Sequence, residues 1–162
     1  MTPKLEAIAW GVLACVLATG LGALVWTWSI NFGGCPVEQL TEEKKAAVNE
    51  LIDIVKWTLT LSVGLIGLFG SLALGLKEGP KLTPAAWLLL IAAMCCFAFS
   101  AYFALMWRTG VAEAFFNGCP GLIASSMLKA RFDVLTYLFL AGLLILTAIL
   151  CLVILQRNWR RP

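Results

Sequence analysis

Histidine is absent from this chain of 162 residues. With it go the commonest general base and the commonest metal ligand. Six cysteines are present, yet no two form a CxxC pair, so zinc ribbons, haem attachment and thioredoxin-like redox chemistry lack their usual framework. No phosphate-cradling GxxxxGK[ST], no GxGxxG after a strand and no GxSxG nucleophile elbow occurs. Charge is scarce as well. Only 13% of residues are charged and 61% are hydrophobic, against about 25% and about 45–50% in average soluble chains. A soluble domain of this composition has too little polar surface to cover itself. The net charge of +3 comes with no basic run interleaved with aromatics, which argues against a nucleic-acid partner.

What remains is four long apolar windows, near residues 5–30, 56–76, 84–107 and 134–156. Each reaches the ~20 residues needed to cross a ~30 Å bilayer core. The expected fold is all-α, a polytopic membrane protein with four transmembrane helices and no separate soluble domain. The first window is expected to be a retained helix. Its apolar stretch exceeds the roughly 7–15 residues of a signal h-region. The central parts of the spans hold no Asp, Glu, Lys or Arg, whereas ion-coupled pumps and proton-driven exporters generally need one at mid-depth.

One pattern occurs twice. Phe32-Gly33-Gly34-Cys35-Pro36 and Phe116-Asn117-Gly118-Cys119-Pro120 both read FxGCP, 84 residues apart, and the pairs Thr2-Pro3 and Thr83-Pro84 stand 81 apart. Thr is a good N-cap and Pro suits the first helical position. Two helical hairpins, 2–76 and 83–156, are therefore expected as a pseudo-repeat, with Phe32, Gly34, Pro36, Phe116, Gly118 and Pro120 forming equivalent turns on one side. Cys35 and Cys119 hold matching places. A structural disulfide between them, two free thiols beside helix starts marked by the following Pro, and a redox pair all stay open. Cys15, Cys95, Cys96 and Cys151 read as small hydrophobes inside the spans.

Small residues recur at helical spacing. Helix one has Ala7, Gly11, Cys15, Thr19 and Ala23. Helix two has Gly64, Gly67, Gly70, Ser71 and Gly75. Helix three has Ala92, Cys96, Ser100 and Ala104. Such stripes let spanning backbones approach closely, within one bundle or between protomers. Helix four is bulky nearly all round and is expected to face lipid most. Thr41 with Glu42 and Glu43 predicts that helix two begins early and stands clear of the bilayer. Ser125, Ser126, Lys129, Arg131 and Asp133 predict a polar collar before helix four, with Arg108 and Glu113 at the matching end of helix three. Trp26, Trp28, Trp57 and Trp107 are expected at the turn-bearing interface, and Trp10 deeper, as a packing residue.

Orientation is finely balanced, with six basic residues on each side. The short basic flanks near both termini and an oxidising home for Cys35 and Cys119 favour cytoplasmic termini in an inner or plasma membrane. The signatures of familiar four-helix membrane families are missing: the CxxC of quinone-linked thiol oxidases, the outer-loop Cys-Cys-Gly of tetraspanins, the Trp-rich claudin motif and the several loop cysteines of connexins. The functional expectation is a small non-enzymatic membrane protein without cofactor or metal. It acts through oligomeric assembly, as a homo-oligomeric channel or sensor. Its partners are the lipid bilayer and either its own copies or other membrane subunits. An accessory subunit of a larger complex, or a thiol-redox enzyme using Cys35 and Cys119, are the alternatives. Thr58, Thr60, Ser62, Ser100 and Thr136 are the residues expected to line any wet path.

Overall fold

The computed structural model describes residues 3–29, 42–75, 83–117, 119 and 125–159. Four helices account for nearly all of them, and no strand occurs among the described residues. They are α1 (Pro3–Ser29), α2 (Glu42–Gly75), α3 (Pro84–Phe116) and α4 (Ser126–Trp159). Each contains a stretch long and apolar enough to cross a membrane. Their ends follow from local chemistry. Pro84 occupies the first turn of α3, where a missing N–H costs nothing, and the Thr83 hydroxyl accepts the Ala86 amide at 3.4 Å. The Ser125 hydroxyl accepts the Leu128 amide at 3.4 Å and caps α4 in the same manner. At the far end of α3, the Cys119 amide donates to the Ala114 carbonyl at 2.9 Å. With Asn117 as the C-cap, this is the six-to-one bond that closes helices before a glycine.

α3 is the hub. It packs against all three other helices, most extensively against α4, while α1 and α2 scarcely touch each other. Half of the apolar window of α3 is buried within the chain, against 22% for α4, 17% for α1 and 11% for α2. The helix least covered by the rest of the chain is therefore not α4, as its bulky sequence suggests, but α2. Bulky Leu and Ile on α4 are used against the small-residue face of α3, where Ala92, Ala93, Cys96, Ser100 and Ala104 are fully buried. Close approach needs glycine at three points, Gly20, Gly110 and Gly142. A Cβ on Gly142 would lie 2.8 Å from the Phe97 ring, and one on Gly20 would lie 2.5 Å from the Phe99 ring.

Two apolar clusters mark the ends of the packing. One joins Val55, Phe103, Trp107, Val111, Leu128 and Leu135, with Ala23 and Leu24 of α1 against it. The other joins Phe69, Leu90, Ala93, Phe97 and Ile149. These pairings run the four helices alternately up and down. They also bring the start of α2, the end of α3 and the start of α4 to one end. At 1.5 Å per residue these three helices are each about 50 Å long, some 20 Å more than a bilayer core. That end carries Lys45, Glu50, Asp53, Arg108, Glu113, Lys129 and Asp133, and so is the charged end of the bundle.

Two tryptophans stand elsewhere than the sequence suggests. Trp107 is buried in the core, tilted against Phe132 with ring centres 6.1 Å apart, because its face of α3 points at α2 and α4. Trp10 is exposed on the outward face of α1. Trp26, Trp28 and Trp57 are exposed.

Candidate functional site

The turn residues come first. Phe32, Gly34, Cys35, Pro36, Gly118 and Pro120 lie outside the described residues, so the first FxGCP turn and the meeting of the two turns do too. Of the second copy, Phe116 ends α3 and is almost fully exposed. α4 begins at Ser126, and the residues between Cys119 and Ser125, where the following proline suggested a helix start, lie outside the described residues. Cys15, Cys95, Cys96 and Cys151 are free thiols, and Cys119 is not one of them. No group of three or more His, Cys, Asp or Glu able to hold a metal occurs among the described residues.

The small-residue stripes divide into two kinds. Ala92, Cys96, Ser100 and Ala104 face the interior. In contrast, a Cβ built on Gly11, Gly22, Gly64, Gly67 or Gly70 would meet nothing within 4 Å. Ser71 is exposed beside the last three; Gly75 closes α2. On α2, the buried side repeats every seven residues through Val48, Val55, Ser62 and Phe69. Its outward side runs through Thr60, Gly64, Gly67 and Ser71 at steps of four, three and four, all exposed, and continues upward through Lys56, Asp53 and Asn49. One face of α2 is thus apolar and covered, while the opposite face is small or polar and open.

The hydroxyls are almost all spent. Thr58, Thr60 and Thr136 each donate to the carbonyl four residues back, at 2.9 Å. Ser100 donates across to the Leu135 carbonyl of α4 at 2.9 Å. Ser62 is fully buried with no partner for its hydroxyl among the described residues. Ser62 and Ser100 are sealed from solvent, so these residues do not form a continuous wet path inside one chain.

A third place was not singled out by its sequence. Arg131 is only 9% exposed, not a solvated collar residue. It falls in the buried stripe Leu128, Arg131, Leu135 and Leu138 of α4, and that three-four-three spacing was the available signal. Its Nη1 donates to the Met106 carbonyl of α3 at 3.1 Å. Gly110 makes the room: a Cβ there would lie 2.6 Å from Leu128 and 3.3 Å from the Arg131 Nη1. The Thr109 hydroxyl donates to the same Met106 carbonyl at 3.0 Å, so two side chains converge on one backbone oxygen.

No protein-family model, curated protein or solved structure matches this chain.

Proposed function

We propose that this is a multipass membrane protein that works through assembly rather than catalysis, as a homo-oligomeric channel or membrane sensor. The observation that carries the reading is the open face of α2, with Thr60, Gly64, Gly67 and Ser71 turned away from the rest of the chain. A helix face that meets lipid gains from bulky apolar residues. Small residues in register belong where another backbone comes close. The open Gly11 and Gly22 on α1 point the same way. Since the helix hydroxyls do not line a path within one chain, a conducting path would lie between copies, with α2 along it and Asp53 and Lys56 at its mouth.

The pseudo-repeat of two hairpins, with termini in the cytoplasm, belongs to this reading. So does a Cys35–Cys119 bond tying the two turns together. It is supported by elimination, because four of the six cysteines are free and Cys119 is not. The same open face suits a foreign subunit, which is the accessory-protein alternative.

Native mass measurement from mild detergent separates these. The expected result is one closed homo-oligomer, reduced to smaller species by Gly64→Leu with Gly67→Leu. A monomer that co-purifies with a larger complex favours the accessory reading, and an oligomer indifferent to both substitutions removes α2 from the interface.

A further inference from the structure

The open face of α2 extends past its glycines. From Ser71 it runs through Gly67, Gly64 and Thr60 to Lys56 and Asp53, every one of them exposed. The pattern repeats after eleven residues, which carries Asp53 to Gly64 and Lys56 to Gly67. Eleven residues in three turns is about 3.67 per turn, close to the 3.6 of a straight helix. The stripe therefore lies almost along the axis, and a helix seated on the glycines also passes over the charges. Asp53 and Lys56 stand three residues apart, a spacing at which they could pair within their own helix. Neither side chain makes a hydrogen bond or an ion pair among the described residues.

Copies inserted into a membrane by the same route share one orientation, so α2 of one copy runs parallel to α2 of the next. About a twofold axis along the membrane normal, contacts are reciprocal. Asp53 then faces the partner's Lys56, and Lys56 the partner's Asp53, offset by about 4.5 Å along the axis, which the lysine stem spans. Antiparallel pairing would instead put the charges of the two copies at opposite ends of the contact. We propose that the occupant of this face is a second copy of the chain in parallel register, aligned by two reciprocal Asp53–Lys56 ion pairs beside a crossing at Gly64 and Gly67. This rests on the reading of α2 as the assembly face and adds what selects the partner. The glycines admit any close backbone. The charges admit only one whose signs alternate in the same order, and charges so placed set partner and orientation more than strength.

The test is charge exchange, read by energy transfer between full chains labelled at the N-terminus and diluted with lipid in vesicles. Asp53→Lys leaves only positive charge at the two positions, and Lys56→Asp only negative. Each variant alone should weaken its own pairing about tenfold. The two variants mixed together should pair as tightly as the wild-type chain, and so should Asp53→Lys combined with Lys56→Asp. Both positions are exposed, so the fold is spared. Single variants that pair like the wild type, or a mixture that does not recover, overturn the ion pairs. Assembly through α2 still stands in that case if Gly64→Leu with Gly67→Leu separates the copies. A wild-type chain that stays monomeric removes both.

Discussion

Ser62 and Ser100 are the same residue type, both fully buried and both inside apolar helices, yet they do opposite things. Ser100 ties α3 to α4 through the Leu135 carbonyl. Ser62 presents, at the face that α2 turns inward, a hydroxyl with no partner among the described residues. A buried polar group without a partner costs free energy, and one with a partner contributes modestly. Ser62→Ala should therefore raise stability by about 1 kcal/mol, and Ser100→Ala should lower it by about 1 kcal/mol. Denaturation in mixed detergent micelles reads both. A loss at Ser62 would mean that its hydroxyl has a partner after all. Nothing in the sequence separates the two serines, because the partner of Ser100 stands 35 residues away. Arg131 was more legible. Its place between Leu128 and Leu135 puts it in the apolar stripe of α4, but a charge three residues before the apolar window at 134 reads first as a solvated collar.

At the scale of elements, the helices were written clearly. α2 does start well before its apolar window, at Glu42, and Thr83 and Pro84 do open α3. What each helix packs against was not written. A run of Leu and Ile is equally at home in lipid or against a small-residue groove, so α4 reads as lipid-facing although it is the main partner of α3. The glycines show the same ambiguity, since neither spacing nor flanking residues tell a used notch from an open one. The structure distinguishes them. Gly142→Val forces a Cβ into the Phe97 ring, 2.8 Å away, and should cost about 1–3 kcal/mol. Gly64→Val meets nothing within 4 Å and should leave the stability of the single chain within about 0.5 kcal/mol. Unfolding of the two variants under conditions that keep the chain monomeric checks the contrast, and equal losses would contradict it.

The whole molecule is a hub with three attached helices, two of which barely meet. α1 and α2 are neighbours in sequence but not in packing, so the arrangement draws little strength from their contact. A covalent tie between the turns would offset this. If Cys35 and Cys119 are bonded, reduction, or Cys119→Ser, should lower stability by roughly 2–4 kcal/mol, the usual worth of a bond closing a long loop. Non-reducing peptide mass spectrometry would show the pair directly; separate thiol peptides would remove it from the account. The repeat that suggested this pairing lay in the sequence, in FxGCP and Thr-Pro. The unequal packing of the two helix pairs did not, because it depends on which faces α3 happens to fill.

The central claim is that the open face of α2 meets a second copy of the chain. Oxidative cross-linking in membranes tests it most directly, with single cysteines placed at Gly67 and at its neighbour Leu68 in a chain carrying Cys15→Ser and Cys151→Ser. Both positions are exposed at the same depth, but helical geometry turns them about 100° apart. The account predicts that Gly67→Cys forms a cross-linked dimer and Leu68→Cys does not. Equal cross-linking at both positions, or none at Gly67, would contradict it.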